Sequence, residues 1–120
     1  MTTRTPSTTI YRQGDIVLVS FPFTDLTSSM RRPALVVSPD SFNSLREDFV
    51  LAAISSQVRG GPNALLLGGA DFIDGQLPKA SEVKVAKIFT IHSSLVLKRL
   101  CRLTDEKRVE VLKLLRALFA

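Results

Sequence analysis

The residues of this chain that could do chemistry are mainly hydroxyls, amides and arginines. Arg31 and Arg32 stand directly before one apolar run, and Ser55 and Gln57 stand at the end of another. A guanidinium and a hydroxyl can together hold a phosphate diester and stabilise the charge that builds up during its cleavage. If the two apolar runs form neighbouring strands, these groups converge at one rim of a small sheet. Pro33 restricts the backbone before it, which favours a fixed position for Arg32.

Each candidate also has an ordinary structural interpretation. Arg31 could be a solvated loop charge, Ser55 could satisfy a nearby backbone group, and spacing alone leaves both roles open for Arg32. His92 is the only histidine, which excludes a metal site built on two or three imidazoles. We interpret His92 as a half-buried ring at a strand end and Cys101, in an apolar setting, as a small core residue. We therefore expect neither a metal nor a cofactor.

Composition indicates one globular domain with a basic surface. The chain has 120 residues, of which 45% are hydrophobic, and a net charge of +5. We expect a flexible N-terminal tail over 1–11 and a single domain over 12–120. The positive charge suits a polyanion, although a modest excess of solvated lysine would give the same value. A single cysteine, no long apolar run and no signal-like start favour a cytoplasmic protein without membrane contact.

The hydrophobic pattern predicts a mainly β protein. Runs of apolar residues, bounded by prolines, glycines and polar turns, predict strands over 14–21, 33–38, 49–55, 64–67 and 83–91. The segments between them are too short for the crossover helices of a parallel sheet. The expected architecture is a small β-barrel with helical additions.

Helical signals are short until the end of the chain. Single turns are predicted over 42–46, 70–73 and 93–99. Thr104 is a suitable N-cap for a final helix over 104–119, with acidic residues in its first turn. Apolar residues occupy more than one face of that helix, so we expect it to fill a groove or to contact a partner chain.

Several segments resemble the MazF/PemK family, the toxin halves of bacterial toxin–antitoxin pairs. They are residues 14–25 (GDIVLVSFPFTD), 31–38 (RRPALVVS), 52–57 (AAISSQ) and 79–90 (KASEVKVAKIFT), and the similarity extends over about 12–119. The resemblance implies an SH3-like barrel, a homodimer and an antitoxin protein as partner. It also implies metal-independent cleavage of single-stranded RNA by the ribose 2′-hydroxyl, leaving a 2′,3′-cyclic phosphate and a 5′-hydroxyl.

The resemblance also implies roles for individual residues. The family's catalytic arginine falls on Arg32, and its catalytic threonine falls on Ser55, which keeps the hydroxyl but lacks the methyl that restricts the rotamer. The loop over 22–31 is expected to gate the RNA groove. Six residues are placed near the RNA in this way: Phe23, Asp25, Arg31, Gln57, Lys79 and Ser81.

The chemistry leaves the general base unidentified. The pKa of an arginine side chain exceeds about 12, so Arg32 stays protonated and cannot readily accept a proton. Arg32 therefore suits charge stabilisation and proton donation better than proton abstraction. Asp25 is a candidate general base, and its position relative to the ribose 2′-hydroxyl must decide whether it has this role. Two other hypotheses stay open: a toxin of the same fold that binds a DNA gyrase without cutting RNA, which Ser55 favours slightly, and an inactive relic that only binds an antitoxin.

Overall fold

The computed structural model describes residues 11–21, 30–44 and 47–120. Seven strands occur in these ranges: β1 (Asp15–Phe21), β2 (Met30–Val36), β3 (Asp48–Ser55), β4 (Ala64–Leu67), β5 (Phe72–Ile73), β6 (Ser81–His92) and β7 (Val96–Leu103). The α-helices there are a single turn, α1 (Asp40–Asn43), and the C-terminal α2 (Asp105–Ala117). Two 3₁₀ turns, Gly69–Asp71 and Ser93–Leu95, complete the described elements.

The strands form one antiparallel sheet in the order β4-β6-β3-β2-β1-β7-β5. The sheet curls into a half-barrel with α2 as its main helix, so the expected mainly β, SH3-like barrel with a C-terminal helix is confirmed. Register breaks in the β1–β7 and β3–β6 ladders mark irregular positions where strands can bend.

Two hydrophobic clusters explain why the strands are apolar on both faces. Ile16 belongs to a cluster that α2 covers through Val111, whereas the next residue, Val17, belongs to a second cluster. The second cluster includes Phe49 and is closed by Tyr11, whose ring meets that of Phe49 edge-on at 5.6 Å. Alternate side chains of one strand therefore enter different cores, as the continuous apolar runs predicted.

The second strand begins earlier than its sequence pattern predicted. The range 33–38 was expected, but β2 spans Met30–Val36, and its ladder with β1 includes the pairs Ser20↔Arg31 and Val19↔Arg32. Two consecutive charged residues do not fit the apolar pattern of a strand, so the sequence did not indicate that backbone pairing with β1 extends β2 through them. Both arginines are therefore anchored by a ladder rather than placed in a loop.

The helical turn predicted over 93–99 is wrong beyond residue 95. Only Ser93–Leu95 forms a helical turn, and the strand β7 follows directly. The buried residues Cys101 and Leu103 alternate with Arg102 along this strand, but the charges before them weakened the period-two pattern. The two-residue strand β5, which pairs with β7, was missed as well.

The C-terminal helix confirms its predicted start. Lys107 N donates a hydrogen bond of 3.2 Å to Thr104 Oγ1, which caps the first turn. Among the described residues, no helix has the length and apolar character needed to cross a membrane. Residues 1–10 of the expected tail lie outside the described ranges, whereas Tyr11 packs on Phe49.

Candidate active site

Arg32 and Ser55 lie on the same side of the sheet, just beyond the end of a ladder. The β2–β3 pairing runs from Val36↔Leu51 to Ala34↔Ala53, and the same register continued by two residues sets Arg32 opposite Ser55. Cross-strand partners project from one face, so the two side chains share that face. An open concavity of about 480 Å³ begins here and is lined by both residues, within the range of ligand-binding cavities.

A register break in β6 brings two lysines to this concavity. Opposite β3, the partner changes from Ile88 at Ala52 to Lys84 at Ala53, so residues 85–87 of β6 have no counterpart there. Such a bulge bends a strand and redirects its side chains. Lys84 and Lys87 both line the concavity.

A second concavity adjoins the first at Arg32. It has a volume of about 410 Å³, and the lining residues that it shares with the first are Arg32, Pro33 and Ile54. Arg31 and Lys79 add positive charge to it. We call the two concavities together the Arg32 groove. Arg32 thus stands in the wall between two halves of one groove.

The Arg32 groove is positively charged. Six cationic residues line it: Arg31, Arg32, Arg59, Lys79, Lys84 and Lys87. None of the described residues that line it is acidic. A surface with this balance attracts a polyanion such as a nucleic-acid backbone.

Ser55 is held by the turn that follows it. Its Oγ accepts a hydrogen bond from Gln57 N at 3.1 Å and lies 3.4 Å from Gln57 O, to which it donates. The local structural interpretation of Ser55 is therefore confirmed. It is compatible with a role in the site, because Ser55 is half-buried and lines the groove.

A buried carboxylate lies beside the same turn. Glu82 is only 1% exposed, and its Oε1 accepts hydrogen bonds from Gly60 N at 3.0 Å and Arg59 N at 3.2 Å. Its Oε2 lies 3.3 Å from Lys84 Nζ. The Gly60 amide, together with Lys84 and the Arg59 amide, lowers the pKa of Glu82 against the opposing effect of burial. Glu82 is therefore ionised at neutral pH.

The structure distributes the residues predicted from sequence over both halves of the groove. Ser55 and Gln57 line the first half, Arg31, Lys79 and Ser81 line the second, and Arg32 lines both. Ser81 is buried and its Oγ donates to Lys79 O at 2.9 Å. Phe23 and Asp25 lie outside the described residues.

Sequence reasoning missed three cationic lining residues: Arg59, Lys84 and Lys87. The alternation of lysines with valines in β6 was a usable signal for Lys84, which a half-exposed strand would direct away from the core. Nothing in the sequence marks the bulge that places Lys87.

His92 and Cys101 have structural roles. His92 is the last residue of β6 and its ring is half-exposed, with Nδ1 accepting from Ser94 N at 3.1 Å and Nε2 lying 2.8 Å from Glu47 Oε1. Cys101 is buried, and desolvation raises the pKa of its thiol to about 11. Both interpretations made from sequence, a strand-end ring and a core thiol, are confirmed.

Comparison with solved structures identifies the class of fold. The chain is similar to a MazE–MazF complex from Deinococcus radiodurans, with a TM-score of 0.75 and 22% identity over 92% of this chain and 97% of that one. It is also similar to an endoribonuclease from mycobacterial species, with a TM-score of 0.74 and 18% identity over 94% of each chain. A mycobacterial endoribonuclease in complex with its cognate antitoxin gives a TM-score of 0.74 at 17% identity, over 91% of this chain and 94% of that one.

The family follows from the sequence itself. Residues 12–119 match the family model of the PemK-like, MazF-like toxins of type II toxin–antitoxin systems. The chain belongs to this family. No curated protein is similar enough to this chain to count as a match.

Proposed function

We propose that this toxin is a sequence-selective endoribonuclease that cleaves single-stranded RNA without a metal ion. The observation that carries the proposal is the position of Arg32 in the wall between two cation-lined concavities, with Ser55 across from it. A strand of RNA lying along such a groove would pass its backbone over Arg32. The family and the endoribonucleases of the same fold give the reaction its class.

In the proposed reaction the ribose 2′-oxygen attacks the adjacent phosphorus. A bond forms between the 2′-oxygen and phosphorus as the bond from phosphorus to the 5′-oxygen breaks, and the products are a 2′,3′-cyclic phosphate and a 5′-hydroxyl. The 2′-hydroxyl gives its proton to a base, and the leaving 5′-oxygen gains one. Arg32 stabilises the negative charge on the phosphoryl oxygens and is the candidate donor to the leaving oxygen.

Ser55 positions the phosphate in this proposal. Its hydroxyl is fixed by the Gln57 backbone and so is oriented before a substrate arrives. A hydroxyl that is already placed avoids reorganisation during the reaction. The threonine-to-serine change relative to the family pattern is then tolerated, because the hydrogen bonds to Gln57 restrict the rotamer in place of the missing methyl.

Unpaired RNA is the proposed substrate because sequence-specific recognition of RNA mostly reads unstacked bases in single-stranded segments. The half of the groove lined by Lys84 and Lys87 and the half lined by Arg31 and Lys79 would bind phosphates on either side of the scissile bond. Gln57 is exposed and carries an amide suited to hydrogen bonding with base edges at the same surface. This contact is the proposed source of sequence selectivity, because phosphate contacts carry no sequence information.

The proposed protein partners are an antitoxin and a second copy of the chain. Helix α2 packs on the core through Val111 but leaves Val109 54% exposed, and Phe119, just after the helix, is 74% exposed. Exposed apolar groups near the C-terminus are candidate contacts for a second copy, and they mark an interaction site if they form one contiguous patch. Mass measurement in solution at micromolar concentration tests this, and a strictly monomeric protein would contradict the homodimer.

The test of the proposed function is incubation of the purified protein with a long unstructured RNA in EDTA, followed by mapping of both product ends. We expect cuts at a short consensus that leave cyclic phosphates. Absence of cuts by folded protein free of antitoxin, with capture of DNA gyrase in a pull-down, would replace the proposal with the non-enzymatic toxin. Absence of both would leave the inactive antitoxin-binding protein.

A further inference from the structure

We propose that Glu82 is a positioning residue for RNA cleavage, which holds the loop over 57–60 and, through it, the Ser55 hydroxyl. This inference rests on the proposed function. Glu82 does not line the Arg32 groove, so it acts through neighbouring groups rather than on the substrate.

Glu82 lies beside Ser55 in the sheet. Glu82 pairs with Ser55 in the β3–β6 ladder, and Lys84 pairs with Ala53 two residues earlier on β3. Cross-strand partners share a face, so Glu82 lies on the face that carries Ser55 and Lys84. Arg32, Ser55 and Glu82 thus occupy successive positions across three neighbouring strands when the β2–β3 register is continued.

Glu82 is almost completely buried. On this groove-side face Glu82 is 1% exposed, which is rare for a carboxylate unless its charge is compensated. The compensation comes from two backbone amides and one ammonium group, those of Arg59, Gly60 and Lys84. A side chain of this kind stays buried because the loop above it is folded onto its oxygens.

A chain of contacts connects Glu82 to the Ser55 hydroxyl. Glu82 Oε1 fixes the Arg59 backbone, and the Arg59 guanidinium donates from Nη2 to Gln57 Oε1 at 3.1 Å. Gln57 N in turn donates to Ser55 Oγ. The loop therefore connects the buried carboxylate to the side chain that is proposed to position the phosphate.

The negative charge of Glu82 is unexpected beside a cationic groove. A carboxylate beside a phosphate-binding groove opposes the binding of RNA, so a purely electrostatic surface would omit it. Its presence is explained if its Oε1 organises the loop by accepting from both backbone amides. An amide at this position would keep an oxygen for both backbone N–H groups, whereas a methyl group would leave both without an acceptor.

The experiment compares Glu82→Gln and Glu82→Ala with the wild-type protein. The readouts are kcat and KM on an RNA that the wild type cleaves, and hydrogen exchange of the Arg59 and Gly60 amides. Thr104→Ala is the matched control, since it removes the N-cap of α2 and lowers stability without touching the groove. All four proteins are compared at a temperature where each is folded by circular dichroism.

We expect Glu82→Ala to lower kcat about tenfold or more, because misplacing a reacting group by about 1 Å costs up to 10²-fold. Exchange at the Arg59 and Gly60 amides should become faster in the same variant. Glu82→Gln should retain slow exchange and a kcat within about threefold of wild type, as expected if one oxygen acceptor is what the loop requires. Thr104→Ala should change neither readout.

An unchanged kcat in folded Glu82→Ala would overturn the inference, as would an equal loss in Thr104→Ala. Should Glu82→Ala fail to fold, Glu82→Gln decides, because loss of kcat together with slow exchange would contradict a role through the loop. Complete inactivity of the wild-type protein would instead count against the proposed function. In that case unchanged amide exchange in the Glu82 variants would overturn the loop-holding role, and faster exchange in Glu82→Ala would support it.

Discussion

Two arginine-lined surfaces in the described part of the chain differ in the charges around them. One is the Arg32 groove; the other lies on a different part of the surface, is lined by Arg12, Arg102 and Arg108, and is called here the paired-arginine concavity. In the latter every arginine has a carboxylate neighbour: Arg12 Nε–Asp40 Oδ2 at 3.2 Å, Arg102 Nε–Asp15 Oδ1 at 2.7 Å and Arg108 Nε–Asp105 Oδ1 at 3.7 Å. No acidic residue lines the described part of the Arg32 groove.

The difference separates a concavity whose arginines are matched by carboxylates from a groove whose described lining is cationic. Asp15 is buried, and Arg102 with the Arg12 amide satisfies its two oxygens, so this cluster ties β1 to β7 and to the start of the domain. In the Arg32 groove four of the six cationic residues lie in strands, Arg59 and Lys79 lie in loops, and the described lining carries a surplus of positive charge. A local excess of positive charge, rather than the presence of arginine alone, distinguishes the proposed RNA-binding surface.

The largest expected effect is on cleavage after Arg32→Ala. Removing one donor aimed at transition-state charge costs about 10²–10³ in kcat, and we expect at least this loss. Arg12→Ala is the matched control, because it removes an exposed arginine whose ion pair contributes at most about 1 kcal/mol. Full activity in a folded Arg32→Ala protein would refute the assignment of the groove.

The next effect is on stability after Arg102→Ala. The change leaves the buried Asp15 carboxylate without its guanidinium. Removing one partner of a fully buried pair costs roughly 3–5 kcal/mol, and since Arg102 is partly exposed we expect about 2–3 kcal/mol. Urea unfolding measures it, with Arg32→Ala alongside. A larger loss of stability in Arg32→Ala than in Arg102→Ala would reverse the comparison.

Ser55 should give an intermediate effect on cleavage. A hydrogen bond from a hydroxyl to a charged group contributes about 1.5–3 kcal/mol, so Ser55→Ala should lower kcat roughly 10- to 100-fold. Ser55→Thr keeps the hydroxyl and should remain close to wild type. Single-turnover cleavage of one RNA by both variants measures the difference, and equal losses in Thr and Ala would show that the hydroxyl is not what matters.

The smallest effect concerns the dependence of RNA binding on salt. Each phosphate contact to a single strand adds about −0.7 to the slope of log K against log salt concentration. Lys87→Ala should therefore make the slope shallower by about 0.7, whereas Arg12→Ala should leave it unchanged. Fluorescence anisotropy across a salt series measures both, and an equal change in the two variants would remove the distinction between the concavities.

Sequence reasoning predicted the barrel class because the apolar runs and turn residues were locally clear. The helix start at Thr104 was predictable for the same reason, since a cap and its acidic first turn are local signals. Strand β7 was missed because the adjacent charges Lys98 and Arg99 interrupt its period-two pattern, and because its pairing with β1 is a long-range choice. The early start of β2 was missed because ladder extension, not residue type, decides where a strand begins.

In the candidate site, too, some residues could be recognised from local sequence and others are placed only by tertiary structure. Arg32 and Ser55 stood out as residues of suitable chemistry at strand ends, and the family resemblance supplied their pairing. Lys87 depends on a bulge, and Glu82 depends on a loop folding over it, so both follow from tertiary structure alone. Acidic residues in a basic protein look like solvated charges until their burial is known.

The most direct test of the central claim is an NMR titration of labelled protein with a single-stranded RNA carrying 2′-O-methyl groups, which lacks the nucleophile and stays intact. We expect amide shifts at Arg32, Ser55, Gln57 and Lys87 and none at Arg12, Arg102 or Arg108. Shifts confined to the paired-arginine concavity, or binding that leaves the Arg32 groove unchanged, would contradict the account.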